Sequence, residues 1–152
     1  MHRHGYRGRK FGRERDQRRA LMRGLMLALI EHQSIVTTVQ KAKELRPMAE
    51  KLITKARKGD LANRRRVIAA LGNVQMGNHL VDAIAPQIGR NSGYLRITKL
   101  DQNRVGDNAE MARIEFVDEI DLDDKKVEEK PTAKPTKTPA KKSETTDKKG
   151  DK

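Results

Sequence analysis

The sequence predicts an α+β fold: a helix, a strand, three helices and a β-hairpin, packed as helices on a small mixed sheet. An extended basic N-terminal arm precedes this domain and a disordered C-terminal tail follows it. Apolar residues recur at helical spacing through residues 17–88, the run Ile35-Val36-Thr37-Thr38-Val39 is β-branched, and residues 94–100 and 111–117 alternate apolar with polar. Composition divides the chain into an arm over 1–15, a domain over 16–117 and a tail over 118–152.

The arm and the residues just after it carry Arg3, Arg7, Arg9, Lys10, Arg13, Arg15, Arg18, Arg19 and Arg23 against only Glu14 and Asp16. Each guanidinium must stay solvated or find an anion, and local carboxylates are too few to serve. Gly5, Gly8 and Gly12 keep this stretch out of helix or strand to about residue 12, so the expectation is an arm that orders on a polyphosphate.

Asp16 is expected to cap a helix over 17–33 whose Leu21, Met22, Leu25, Met26, Leu29 and Ile30 face inward. A strand at 35–39 follows. A second helix, about 40–58, has Ala42, Leu45, Ala49, Leu52, Ile53 and Ala56 on one stripe, with Pro47 expected to kink it or delay its start. Gly59 ends that helix and Asp60 caps a third over 61–71, with Leu61, Ile68 and Leu71 inward and Arg64, Arg65 and Arg66 as a basic block closed by Gly72. Asn73 caps a fourth, with Val74, Leu80, Val81, Ile84 and Ile88 buried and Pro86 ending or bending it. Residues 89–93 form a loop, and strands 94–100 and 111–117 make a hairpin across Gly106-Asp107-Asn108.

The formal net charge is +13, and residues 1–117 hold all of it, with 24 Lys/Arg against 11 Asp/Glu. Residues 118–152 hold 10 of each. This asymmetry is the footprint of a nucleic-acid binder. The tail, rich in Lys, Thr, Pro and Glu, has too little apolar surface to offset ~1–2 kcal/mol per residue of ordering entropy. With no cysteine there is neither disulfide nor thiolate chemistry, and no secretory signal or 20-residue apolar span is seen, so a soluble, cytoplasmic protein without membrane contact is expected.

No catalytic, metal or cofactor site is predicted, and no small-molecule substrate. Ser92 lies one place off a nucleophile elbow. Gly72 to Gly77 has phosphate-loop spacing, but Asn78 and His79 replace the Lys and hydroxyl residue such a loop needs. His32 and His79 sit on separate helices. The candidate RNA-binding set is the nine cations above with Thr37, Thr38, Lys41, Lys43, Arg46, Arg64, Arg65, Arg90, Tyr94 and Arg96. Around the second helix N-terminus, hydroxyls and cations suit phosphate, although Thr38 serves equally as a plain cap. Tyr6, among the arm's cations, could stack on an unpaired base, whereas Phe11 is expected to pack on the first helix.

The segments Gly8-Arg9-Lys10-Phe11-Gly12-Arg13, Arg18-Arg19-Ala20-Leu21-Met22-Arg23, Ile35-Val36-Thr37-Thr38 with Lys41-Ala42-Lys43-Glu44-Leu45-Arg46, and Gly106-Asp107-Asn108-Ala109 before Met111-Ala112 and Ile114-Glu115 resemble the bacterial large-subunit ribosomal protein seventeen family. The match spans residues 1–117; Gln17 and Gly24 stand where the family often has His and Asn. The resemblance implies an α+β structural protein of the ribosome that binds large-subunit ribosomal RNA near the exit of the nascent-peptide tunnel, beside neighbouring large-subunit ribosomal proteins. The rival readings are a free-standing nucleic-acid-binding protein of nucleoid or regulatory type and, more distantly, a small metal-using hydrolase or nuclease.

Overall fold

The computed structural model describes residues 8–120. Arg3, Tyr6, Arg7 and the tail from residue 121, with the disorder expected of it, lie outside the described residues.

α1 (Arg15–His32) places Met22, Met26, Leu29 and Ile30 in the core at the expected 3- and 4-residue steps. It begins earlier than the sequence suggests: Glu14 holds the N-cap position without a side-chain cap bond, and Asp16 lies in the first turn, not at the cap. A carboxylate there still meets the positive end of the helix dipole. β1 (Ser34–Thr38) leads directly into α2 (Val39–Lys58), the central helix, whose expected stripe is buried throughout. α2 runs through Pro47 and does not start late. Pro47 is exposed, and so is Lys43, whose carbonyl loses the missing amide, so water can take that bond.

Gly59 closes α2 in the left-handed region, and the Asp60 carboxylate accepts from the Asn63 amide to start α3 (Leu61–Leu71). Leu71 is buried as expected and Ile68 half-buried, but Leu61 is 63% exposed; Val67 takes the inward position. α4 (Val74–His79) is capped by Asn73, which accepts from the Met76 amide at 3.1 Å, and Val74 is 60% exposed rather than buried. Both residues occupy the first position after a cap, before the helix has turned its apolar face inward. Leu80–Ile84 widen into a π-turn and Ala85–Gln87 tighten into a 3₁₀ turn. Pro86 brings no amide to an i−4 carbonyl, and the Ala85 amide donates to Leu80, five residues back.

β2 (Leu95–Asn103) and β3 (Glu110–Phe116) form the hairpin, and β3 inserts between β2 and β1 to give the order β1-β3-β2. Both pairings are antiparallel, so the sheet is not mixed: β1 and β2 run the same way, but β3 separates them. Ala112 and Ile114 face the core from the middle strand, level with Thr37 and Ile35. Ser34, Val36, Arg113, Glu115, Arg96 and Thr98 occupy the opposite face by their register.

The ordered chain continues past the compositional boundary at 118. Asp118 pairs with Arg90 at 2.8 Å, and Ile120 is 6% exposed, its carbonyl accepting from the Gln33 side chain at 2.7 Å. These two residues belong to the fold although the acidic run around them resembles a tail.

Candidate nucleic-acid interface

α1 carries the core on one face and cations on another. Arg15, Arg19 and Arg23 fall at i, i+4 and i+8, one row along the helix, and with Asp16 and Ala20 they line an open depression. Arg23 also ties the helix to the fold: its Nε donates to the Ala70 carbonyl at 3.2 Å, at the C-terminal end of α3. There a cation suits the negative end of the helix dipole. The φ of Gly72 is +65°, which favours glycine at this corner; a Cβ there would lie 2.9 Å from Arg23 Nη1, the movable end of that side chain.

The end of the arm is fixed locally. Lys10 to Arg13 turn back on themselves, with Phe11 and Gly12 both at positive φ, the Arg13 amide donating to the Lys10 carbonyl at 3.2 Å and the Arg13 guanidinium to the Phe11 carbonyl at 3.1 Å. The Arg9 amide reaches the Glu44 carboxylate at 3.4 Å. That contact lays residues 8–13 toward the first half of α2, where Lys43 is exposed and Lys41 half-buried. Thr38 holds the N-cap position but makes no side-chain cap bond, and Thr37 is buried in β1.

Carboxylates separate the remaining cations into two groups. Arg46 pairs with Glu50, Arg64 with Asp82 through both carboxylate oxygens, and Arg90 with Asp118. Arg64 also donates to Asn78 at 3.1 Å, and its hydrogen bond to Asp82 holds that carboxyl below the usual carboxylate range. By contrast, Lys10, Arg13, Arg15, Arg19, Arg23, Lys41, Lys43 and Arg65 are in none of the ion pairs among the described residues.

Tyr94 is buried in the fold. It is 3% exposed, its hydroxyl donates to the Asn91 carbonyl at 2.8 Å, and the Arg57 guanidinium lies 5.8 Å from its ring centre. An aromatic ring at the start of a strand was taken into the core, and an arginine that the sequence did not single out covers it. Arg96 is exposed on the outer sheet face opposite Glu115. Arg113, also unmarked in the sequence reading, lies on that face between Val36 and Thr98; the alternation of 111–117 was the signal that could have found it.

Among the described residues no cluster of three or more His, Asp or Glu is arranged to hold a metal ion. No helix among them is long and apolar enough to cross a membrane.

A family model described as Ribosomal protein L17 matches residues 21–117. The chain belongs to the ribosomal protein L17 family. Its relatives include the "Large ribosomal subunit protein bL17" of Mesorhizobium japonicum, 52% identical over 117 residues, which are 76% of this chain and 81% of that one. The protein of the same description from Beijerinckia indica subsp. indica is 47% identical over 116 residues, 76% of this chain and 82% of its own. That of Persephonella marina is 50% identical over 121 residues, 78% and 98% of the respective chains. Membership of the L17 family makes the chain a structural, non-enzymatic component of the ribosome.

Proposed function

We propose that this protein, a constituent of the large ribosomal subunit, binds large-subunit ribosomal RNA in the neighbourhood of the nascent-peptide exit. The observation that carries the reading is the cation field of the arm and α1, in which Lys10, Arg13, Arg15, Arg19 and Arg23 are in none of the ion pairs among the described residues. Seven Lys/Arg side chains between residues 8 and 23 face two carboxylates, and Arg15, Arg19 and Arg23 line one depression. Arg3 and Arg7 add two further cations to the same arm by sequence. A phosphodiester backbone supplies the missing anions, and phosphate contacts provide most of the sequence-independent affinity of such complexes. Lys41, Lys43 and Arg65 extend the field, and Arg96 on the sheet face is a further contact. Arg46, Arg64 and Arg90 already have Glu50, Asp82 and Asp118 as carboxylate partners, so they rank below the unpaired group.

The helix gives this surface its form. Steps of four residues set Arg15 and Arg19 about 6 Å apart along the axis, at ~1.5 Å rise per residue, so their Cα positions are fixed before RNA arrives. The protein fixes RNA by charge and shape, and the position near the tunnel exit is what the family resemblance implies. The test is sedimentation: under moderate salt the full chain travels with large subunits, and footprinting places its protections on large-subunit RNA. Recovery with chromosomal DNA instead would overturn the proposal in favour of a free-standing nucleic-acid binder.

A further inference from the structure

The hairpin tip departs from the rest of the molecule in charge. From Lys99 to Glu110 there are two cations, Lys99 and Arg104, and three carboxylates, Asp101, Asp107 and Glu110. Both cations are neutralised within the hairpin, Lys99 by Glu110 at 3.3 Å and Arg104 by Asp107 through both carboxylate oxygens. A polyanion finds no free positive charge here, although the same chain displays many elsewhere.

The tip is nonetheless built to a definite shape. The Arg104 amide donates to the Ala109 carbonyl at 2.9 Å, the Asn108 amide to the Arg104 carbonyl at 3.0 Å, and the Asn103 side-chain amide to the Asn108 side-chain carbonyl at 2.9 Å. Gly106 at φ +108° and Asn108 at φ +50° take the two left-handed positions. At the base, Leu100, Asp101 and Gln102 oppose only Met111 between the Lys99–Ala112 and Asn103–Glu110 pairs, an irregularity of the kind that bends and twists a hairpin. Residues 101–108 are all exposed.

At the centre of this ordered loop, without surplus positive charge, stands Val105, which is 100% exposed. A lone exposed apolar residue is ordinary, but a β-branched one in a tight turn works against turn chemistry, which favours Gly, Asn, Asp and Ser. Its neighbours Gly106, Asp107 and Asn108 do follow that chemistry.

From these observations, and resting on the proposed place in the large subunit, we infer that the 99–110 hairpin is a protein-docking element. Val105 enters an apolar socket on a neighbouring ribosomal protein, while the basic arm and α1 hold the RNA. A net charge of −1, a preformed backbone and one apolar anchor match a protein surface of mixed polarity and mismatch a phosphate backbone.

The experiment places the photo-crosslinking residue p-benzoylphenylalanine at position 105 of the full chain, in large subunits assembled in cells and purified by sedimentation. Irradiation is expected to join position 105 to one ribosomal protein, at peptides that mass spectrometry locates. Crosslinks to RNA or to a second copy of this chain, or no crosslink from protein that does sediment with the subunit, overturn the inference. Failure of the unsubstituted chain to sediment with the subunit would overturn the proposed function itself and the inference with it. Because Val105 is fully exposed, Val105→Asp should fold normally. It is expected to leave affinity for isolated large-subunit RNA within about twofold while speeding release from the assembled subunit roughly tenfold, the cost of burying an unpaired carboxylate. A loss of RNA affinity with unchanged release would place the tip against phosphate and overturn it as well.

Discussion

Replacing Lys10, Arg13, Arg15 and Arg19 by Gln removes four cations that form no ion pair among the described residues and leaves the helix core untouched. If three or four of them meet phosphates, the slope of log affinity against log salt flattens by about 2–3.6 units, at ~0.7–0.9 per contact. Between 50 and 200 mM salt, the unsubstituted chain should then lose roughly 20- to 150-fold more affinity than the variant does. The control removes equal formal charge from paired positions, Arg46, Arg64, Arg90 and Arg104, each with a carboxylate partner. Exposed pairs are worth about 0–1 kcal/mol each, so the control should remain folded by circular dichroism. Its slope should move by less than about one unit, because those cations are already neutralised. The assay is filter binding or anisotropy with large-subunit RNA across a salt series. Equal flattening in both variants would show that total charge, not the unpaired field, drives binding; no flattening in the first would remove the arm and α1 from the interface.

Gly77→Ala should destabilise the domain by about 1–3 kcal/mol in urea denaturation, because its Cβ would lie 2.7 Å from Ile68 Cγ1 and 3.1 Å from the Ile68 backbone. The helix-propensity gain of about 1 kcal/mol is smaller than that overlap, so a stabilised variant would refute the packing argument. Truncation after residue 120 should leave urea stability within about 0.5 kcal/mol of the full chain, whereas truncation after residue 116, which removes buried Ile120 and the Asp118–Arg90 pair, should cost about 2–4 kcal/mol. Equal stability of the two truncations would exclude 117–120 from the fold. The hydrogen bond from Arg104 holds Asp107 at about 2, below the usual carboxylate value. Its contribution to the hairpin is therefore present above about pH 4 and lost as pH falls toward 2. NMR of the Asp107 carboxyl and the Ala109 amide should show both moving in that window, and titration near pH 4 would mean that the ion pair does not persist in solution.

The sequence was most informative where a single periodicity governs a segment. The α2 stripe, the Asp60 and Asn73 caps, the Gly59 and Gly72 stops and the hairpin all follow from local chemistry that tertiary packing does not override. Interactions between distant residues were not legible. Nothing near Arg64 announces Asp82, 18 positions away, and nothing near Arg90 announces Asp118, so paired and unpaired cations look alike in the chain. Tyr94 appeared beside loop arginines because its burial depends on α2, through Thr54 and Arg57. The extension of β2 to Asn103 was hidden because Asp101-Gln102-Asn103 break the alternation, and only backbone pairing with Glu110 holds that end in the sheet.

The pairing of charges bears on how the fold divides its work. Exposed ion pairs stabilise little, so the carboxylates opposite Arg64, Arg90 and Arg104 have a small energetic role in folding. On the proposed RNA-binding reading, their larger effect is to decide which parts of a strongly basic chain remain attractive to phosphate. The hairpin cations Lys99 and Arg104 and, on α3, Arg64 are each met by a carboxylate, while α1 has acids only at Asp16 and Glu31 along its length and leaves Arg15, Arg19 and Arg23 outside the ion pairs among the described residues. Because Met22, Met26, Leu29 and Ile30 anchor α1 in the core, those cations stand on a backbone already ordered by folding. RNA binding then has side chains to immobilise but no helix to form, at ~0.5–1.5 kcal/mol per ordered side chain instead of an added 1–2 kcal/mol per backbone residue.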